Sequence, residues 1–224
     1  MSSLFDLHSN ESRVRLLCSA DPRFSYLVER VGSLVVPERA NMFEFLAKSL
    51  IGQQLSVKAA ATIIGRLEEL CRDISPDSIL SLSEDELRKA GVSRPKIGYI
   101  KGLAGLIERR ELDFGSLPDL ADDEVIESLT KVKGIGRWTA EMFLIFFLGR
   151  EDVLSLGDAG LRRAVCWLYE DGIKTAPGVL ERHGEKWRPY RTVASLYLWE
   201  AVNRGHVKGS HPPAGESIKM VEGE

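Results

Sequence analysis

The sequence contains few cysteines, no long apolar run and no excess of basic residues. Its three cysteines, Cys18, Cys71 and Cys166, are too widely separated to support a disulfide framework or a four-thiolate iron–sulfur cluster. The longest strongly apolar segment, residues 142–148, is far shorter than a membrane-spanning helix, and the first residues lack the basic and apolar regions of a secretory signal. We therefore expect a soluble intracellular protein without a membrane partner, located in the cytoplasm or nucleoid of a bacterium or in the nucleus of a eukaryote.

The charge balance gives no indication of a partner. The chain has 33 acidic residues against 30 lysines and arginines, a formal net charge of −3. Proteins that bind nucleic acid without sequence preference commonly carry a basic excess, so any such binding here has to depend on a local arrangement of donors. With 44% hydrophobic and 28% charged residues, the 224-residue chain is predicted to form one globular domain or two small lobes.

Helical patterns dominate the chain. Apolar residues recur at helical spacing through residues 57–67 and again through residues 97–107. Ser83 and Glu86 form a capping box, and Ser75 precedes a proline that suits a first helical turn. No convincing alternation typical of strands is present. The predicted class is all-α, with about nine or ten short helices.

A tight turn between two predicted helices is the most informative segment. Gly134 and Gly136 flank Ile135, between a helix that begins at about Asp122 and an apolar helix that follows. The glycines permit a sharp turn and leave main-chain amides uncovered by side chains. Because these amides lie at a helix start, they are suited to hold an anion such as a phosphate.

The pattern around this turn is longer than a simple Gly-x-Gly, which by itself would indicate only a corner between two helices. It matches the helix-hairpin-helix DNA-binding motif through the following residues: Leu129, Val132, Ile135, Thr139 and Ala140. We therefore favour DNA binding over a purely structural corner.

Asp158 precedes a predicted helix that begins near Ala159. Aspartate is a favoured N-cap residue, so spacing alone indicates a helix cap. The same position suits a negative charge because the first-turn amides and the helix dipole face it. A structural cap and a chemical role are therefore compatible.

Two tryptophans lie away from the apolar faces of their predicted helices. Trp138 shares a face with Met142, and Trp199 lies opposite the apolar stripe that contains Val193 and Tyr197. Tryptophan is ordinarily a core residue, but this placement favours a pocket for Trp138 and Trp199.

Two segments together resemble a known family. The first is Gly-Ile-Gly-Arg-Trp-Thr-Ala at 134–140, followed after a short helix by Asp158, and the second is Trp-Arg-Pro-Tyr-Arg at 187–191. Together they resemble the helix-hairpin-helix DNA glycosylase superfamily and, within it, 3-methyladenine DNA glycosylase II. The resemblance extends from about residue 21 to residue 205, and it is to the compact form without an N-terminal β-rich domain. It implies two helical lobes with a cleft for DNA and the base between them. One lobe is expected to comprise residues 1–41 with 151–205, and the other residues 42–150. Residues 206–224, after the first lobe, are expected to form a disordered tail.

The resemblance assigns the catalytic carboxylate to Asp158. Many relatives have two successive acidic residues here, whereas the first position in this chain is Gly157. Whether Asp158 would act as a general base or as an electrostatic stabiliser stays open. Relatives with lyase activity carry a nucleophilic lysine where this chain has Trp138, so Schiff-base chemistry at that position is excluded. The lack of a cysteine cluster near the C-terminus argues against the iron–sulfur relatives.

The remaining site residues also follow from the resemblance. The base pocket is expected to comprise Trp138, Met142 and Trp199. A wedge that fills the gap left by a flipped base is expected within residues 51–57, with Gln54 the first choice and Leu55 the alternative. The DNA contacts are expected from the following residues: Lys58, Gly134, Ile135, Gly136, Arg137 and Thr139. The carbonyl groups of Thr130, Val132 and Ile135 are expected to hold Na⁺ or K⁺ when DNA is bound, with no other cofactor.

The implied activity is that of a monomeric, monofunctional glycosylase that releases 3-methyladenine, and also 7-methylguanine, from duplex DNA in base excision repair. Two alternatives stay open. One is a non-catalytic helix-hairpin-helix DNA-binding protein in which Asp158 is only a cap. The other is a glycosylase for a different lesion, such as hypoxanthine, ethenoadenine or uracil.

Overall fold

The computed structural model describes residues 2–170 and 178–208. Over these residues the chain forms twelve α-helices, three short 3₁₀ helices and one two-stranded sheet. The regular elements are β1 Ser3–Leu7, α1 Ser12–Ala20, α2 Pro22–Val31, β2 Leu34–Pro37, α3 Met42–Gly52, α4 Val57–Cys71, α5 Pro76–Ser81, α6 Glu84–Lys89, α7 Arg94–Glu108, α8 Asp122–Thr130, α9 Arg137–Phe146, α10 Ala159–Tyr169, α11 Val179–Gly184 and α12 Arg191–Asn203.

The chain divides into two compact units. The split unit comprises Met1–Glu38 and Gly149–Glu224, and the central unit comprises Arg39–Leu148. The sequence placed these divisions at 41/42 and 150/151. No helix in the described ranges is long and apolar enough to cross a membrane.

The predominantly helical class is confirmed, but two details of the prediction are wrong. The described residues form twelve helices rather than nine or ten, and three of them, α5, α6 and α11, are only six residues long. The antiparallel pair of β1 and β2 was missed. Its strands are short, the ladder is irregular between Ser3 and Phe5, and two helices separate the partners. Such pairing has little local signal.

Helix starts were predicted more accurately than helix faces. Ser83 caps α6 through the predicted capping box, and Pro76 begins α5 as predicted, where Ser75 forms a further capping box with Ser78. The apolar repeat of α7 is buried at Ile97, Ile100, Leu103 and Ala104. The repeat in α4 is not, since Val57 is 89% exposed and Leu67 is the buried residue of that helix. Helical spacing therefore predicted α4 but not the face that it buries.

The end of the chain differs slightly from the prediction. After α12, Gly205 adopts a positive φ of 76° and His206–Lys208 form a 3₁₀ helix rather than the start of a tail. The rest of the predicted tail, residues 209–224, lies outside the described residues.

Candidate functional site

The turn between α8 and α9 in the central unit has the predicted hairpin geometry. The Val132 amide donates to the Leu129 carbonyl at 3.1 Å, and the Ile135 amide donates to the Val132 carbonyl at 3.0 Å. The side chains of Leu129, Val132 and Ile135 are buried and anchor the turn. The backbone between the helices is therefore held from inside the unit.

The two glycines of the hairpin serve different purposes. Gly134 has a φ of 98°, and a Cβ there would lie 2.6 Å from ring carbons of Tyr99. It is therefore required both by conformation and by close packing. Gly136 has a φ of −93° and is the N-cap of α9, and a Cβ at this position would meet nothing within 4 Å. Glycine at 136 is thus not required by packing, but it keeps the first-turn amides of α9 uncovered.

Charged side chains at the start of α9 are partly held within the protein. The Arg137 side chain is 68% exposed, and its Nε donates to the Glu141 carboxylate at 2.9 Å. Glu141 is almost fully buried, so this ion pair holds the Nε of Arg137 while the rest of the guanidinium stays exposed. Thr139 is 3% exposed, so the predicted DNA contact is not available through an exposed side chain at that residue.

The predicted wedge segment is a short loop between α3 and α4. The Leu55 amide donates to the Gly52 carbonyl at 3.1 Å, and Ser56 caps α4 by accepting from the Ala59 amide. Gln54 has a positive φ of 59° and is exposed, and Leu55 is 38% exposed. Both wedge candidates are therefore exposed on the loop, and either side chain could enter a base stack.

Side chains below this loop tie it to neighbouring elements. The Lys96 ammonium donates to the carbonyls of Ile51 at 2.8 Å and Gln53 at 2.6 Å. The Gln53 amide group donates to the Gly134 carbonyl at 2.9 Å. Burial lowers the pKa of Lys96 from its ordinary value. Neither Gln53 nor Lys96 was identified from sequence, because their partners are distant along the chain.

Exposed residues continue from the loop onto α4. Lys58 is exposed at the second position of α4, consistent with a predicted DNA contact. Val57, beside it, is the most exposed of the large apolar side chains in the described residues. The sequence did not single out Val57, although it follows both wedge candidates closely in the chain, because it was taken as part of the buried apolar repeat.

Trp138 and Met142 occupy one face of α9, as predicted, but their exposures differ. Trp138 is 47% exposed, whereas Met142 is 7% exposed. A half-exposed tryptophan at a helix start leaves a large aromatic surface for a ligand. Trp138 therefore offers more surface to a base than Met142 does.

Asp158 lies in the split unit at the N-cap of α10. Its Oδ1 accepts from the Leu161 amide at 2.8 Å, which is the predicted cap hydrogen bond. The residue is 9% exposed, and its own amide donates to the Ser155 carbonyl at 3.1 Å. The Leu161 amide therefore holds the carboxylate, and the Ser155 carbonyl holds the main chain at Asp158.

Trp199 makes a contact that the sequence did not reveal. Its indole Nε1 donates to the same Asp158 Oδ1 at 3.1 Å. Trp199 is half-buried on α12, 41 residues farther along the chain. The structure thus brings together two predicted site residues, and it gives Trp199 a role in orienting the carboxylate.

Gly160 provides the space for this contact. A Cβ at Gly160 would lie 3.0 Å from Asp158 Oδ1 and 3.5 Å from Trp199 Cδ1. Glycine is unfavourable within a helix, here the second residue of α10. That local cost was a signal in the sequence from which Gly160 could have been identified.

The N-terminal part of α12 holds the loop that leads to Asp158. The Thr192 hydroxyl donates to the Arg150 carbonyl at 2.7 Å and accepts from the Val153 amide at 3.1 Å. Arg191 pairs with Asp152 through Nε at 2.7 Å, and Arg188 pairs with the same carboxylate at 2.8 Å. The 187–191 segment singled out in the sequence therefore supports the Asp158 loop.

The described part of the chain contains no group of three or more His, Cys, Asp or Glu side chains that could hold a metal ion. The predicted cation ligands are instead main-chain carbonyls. Of these, the Val132 carbonyl accepts the Ile135 amide within the turn, which leaves its second lone pair for a cation.

Comparison with known proteins adds to this geometry. A model of the HhH-GPD superfamily base excision DNA repair proteins matches residues 47–189. The chain is 35% identical to DNA-3-methyladenine glycosylase 1 of Schizosaccharomyces pombe over 196 residues, which cover 82% of this chain and 84% of that protein.

Two solved structures are also similar. A DNA-3-methyladenine glycosidase from Bacillus halodurans has a TM-score of 0.82 at 42% identity, over 90% of this chain and 94% of that one. The S. pombe 3-methyladenine DNA glycosylase, solved in complex with abasic DNA, has a TM-score of 0.71 at 30% identity, over 86% of this chain and 97% of that one.

Proposed function

Because the chain belongs to the HhH-GPD superfamily of base excision DNA repair proteins, we propose that it is a monofunctional DNA glycosylase that hydrolyses alkylated bases from duplex DNA. The observation that carries this proposal is the Asp158 carboxylate, which the Leu161 amide and the Trp199 indole hold at the start of α10. The names of the similar proteins support 3-methyladenine as the first substrate, and we propose 7-methylguanine as the second. We assign the activity to the 3-methyladenine DNA glycosylase II type.

The chemistry needs one fixed negative charge. When the C1′–N bond breaks, its electron pair leaves with the base and neutralises the positive charge that alkylation placed there. The sugar becomes cationic, and a carboxylate beside it stabilises this state. Water then forms a bond to C1′ and loses a proton. Asp158 either accepts that proton or acts through its charge alone.

The residue at position 138 supports direct hydrolysis. A lyase needs an amine nucleophile that attacks C1′ and forms a Schiff base. Tryptophan cannot perform this attack. Its aromatic surface instead suits a cationic alkylated base, since each cation–π contact contributes about 0.5 to 2 kcal/mol. Trp138, with 47% of its surface exposed, is our main candidate for selecting the base.

We assign DNA binding to the central unit. The uncovered amides at the start of α9 would hold a backbone phosphate, with Arg137 and Lys58 as further contacts. Gln54 or Leu55 would occupy the gap that the flipped base leaves. Binding by main-chain amides explains how a protein with a net charge of −3 can hold DNA. The protein would act as a monomer.

A monovalent cation at the hairpin fits this assignment. The carbonyls of Thr130, Val132 and Ile135 are oxygen ligands of the kind that alkali metal ions prefer. Such an ion would add positive charge beside a bound phosphate.

A panel of duplexes tests the substrate range. Purified protein is incubated with methylated duplex DNA and with duplexes that carry hypoxanthine, ethenoadenine or uracil, and the released bases are quantified. We expect release of 3-methyladenine and 7-methylguanine above all others. Preferred release of another base would indicate a glycosylase for that lesion. DNA binding without release of any base would favour the non-catalytic alternative.

A further inference from the structure

One side chain joins the two DNA-binding elements of the central unit. The side-chain amide of Gln53, at the end of α3, donates to the carbonyl of Gly134 in the hairpin at 2.9 Å. The two residues are 81 positions apart. The loop that carries the wedge candidates is thus attached directly to the turn that presents the phosphate-binding amides.

A second side chain fixes the same point from α7. The Lys96 ammonium donates to the Ile51 and Gln53 carbonyls at the C-terminal end of α3. A cation is favoured there because the last carbonyls of a helix lack intrahelical partners and carry the negative end of the dipole. Both the main chain and the side chain of Gln53 are therefore held.

The hairpin rests on the same helix. Tyr99 lies one turn after Lys96 on α7, and its ring is packed against Gly134 so closely that a Cβ would lie 2.6 Å away. One face of α7 thus supports the wedge loop through Lys96 and the hairpin through Tyr99. The next residue of the loop, Gln54, is then presented outward with a positive φ of 59°.

We propose that Gln53 and Lys96 are positioning residues that set the register between the phosphate-binding hairpin and the wedge loop. This rests on the proposed function. Base flipping requires the wedge to enter the stack at a fixed distance from the phosphate that the hairpin holds. A loop that is already fixed on the hairpin favours the flipped state, because its ordering does not have to occur during binding.

Substitution of each donor tests this proposal. Gln53→Met keeps the side-chain length and removes the hydrogen bond to Gly134. Lys96→Met shortens the side chain by one atom and removes the hydrogen bonds to the end of α3. Lys101→Met is the matched control, since Lys101 also lies on α7 and its ammonium donates to a carbonyl at the end of another helix, Leu82 after α5, at 2.5 Å. Each variant loses one or two hydrogen bonds to main-chain carbonyls, and thermal unfolding establishes that each is folded.

Single-turnover base release is measured on two duplexes, both with one 7-methylguanine. In one the lesion pairs with cytosine, and in the other it lies opposite an abasic analogue, where less pairing has to be broken. We expect Gln53→Met and Lys96→Met to lower the rate about fivefold to tenfold on the paired duplex, the effect of a lost hydrogen bond or two, and much less on the unpaired one. Lys101→Met should leave both rates unchanged.

The ratio of the release rates on the two duplexes distinguishes a positioning role from general damage to the fold. An equal loss on both duplexes, or no loss on either, would overturn the positioning role while leaving the glycosylase assignment intact. If the wild type released no base from either duplex and none from methylated duplex DNA, the proposed function would fall and the positioning role with it. Gln53→Glu, which places an acceptor opposite the Gly134 carbonyl, should show a larger loss than Gln53→Met with the same preference for the paired duplex.

Discussion

The start of α9 in the central unit and the start of α10 in the split unit present the same main-chain groups but different caps. Gly136 caps α9 and has no side chain that could accept from the first-turn amides. Asp158 caps α10 and accepts from the Leu161 amide at 2.8 Å. Helix starts attract negative charge wherever it comes from. One start is therefore suited to a phosphate of the ligand, and the other holds a carboxylate of the protein.

In the proposed function, one physical effect would supply both binding and chemistry. The anion at α9 would be external, so its residues have to leave amides accessible. The anion at α10 is internal, so its residues have to fix a carboxylate, which Trp199 and Gly160 do by contact and by space. Changes at α9 are expected to alter DNA affinity, and changes at α10 the rate of base release.

The largest effect is expected at the cap of α10. Asp158→Asn retains a good N-cap but removes the charge, so single-turnover release of 7-methylguanine should fall about 100- to 1,000-fold. Affinity for an abasic duplex, measured by fluorescence anisotropy, should be unchanged. Asp158→Ala should in addition lower the free energy of unfolding by about 1 kcal/mol, since the cap is lost. A rate close to that of the wild type in Asp158→Asn would leave Asp158 with the cap role alone.

The two hairpin glycines should respond differently to the same substitution. In Gly134→Ala, the positive φ and the close Tyr99 ring should lower stability by about 1 to 3 kcal/mol and weaken duplex binding strongly. In Gly136→Ala, nothing is within 4 Å of the new methyl group, so the melting temperature should stay the same. Affinity should still decrease, because the methyl group covers amides. Wild-type affinity in Gly136→Ala would contradict phosphate binding at this helix start.

A smaller effect is expected from the donor to Asp158. Trp199→Phe keeps an aromatic ring but removes the Nε1 donor, and it should lower single-turnover release about tenfold. Gly160→Ala tests the same contact by crowding, since its Cβ would lie 3.0 Å from Asp158 Oδ1. Both variants should bind abasic duplex normally. If neither changed the rate, the orientation of Asp158 by Trp199 would not matter for catalysis.

The smallest effect is expected at the exposed guanidinium near α9. Arg137→Gln should weaken duplex binding only slightly, but it should reduce the slope of log Kd against log salt concentration by about one. Arg15→Gln removes the same charge from an exposed position in the split unit and serves as the control. Equal slopes for the two variants would mean that Arg137 does not contact a phosphate.

The sequence predicted the local parts of the site well. The hairpin, the cap at Asp158 and, outside the site, the capping box at Ser83 depend on residues within a few positions of one another. Glycine and aspartate also have strong positional preferences at helix ends. These features could be recognised without knowledge of the tertiary structure.

The long-range parts could not be predicted in this way. The Thr192 hydroxyl, the Trp199 indole and the Gln53 amide each find their partners through packing, across 39, 41 and 81 positions. No spacing rule connects such residues. The same reason explains the missed β1–β2 pair and the exposed Val57, where the wrong face of a correctly predicted helix was taken as buried.

The most direct test of direct hydrolysis measures three products from two parallel reactions of wild-type protein with methylated duplex DNA. Free base and strand breaks are quantified without sodium borohydride, because borohydride reduces the aldehyde of the abasic site and makes that site resistant to alkali. Covalent protein–DNA adducts are quantified in the second reaction, which contains sodium borohydride. The account predicts that 3-methyladenine accumulates, that the strands stay intact until alkali is added, and that no adduct forms. A borohydride-stable adduct, strand breaks without alkali or the absence of free base would contradict it.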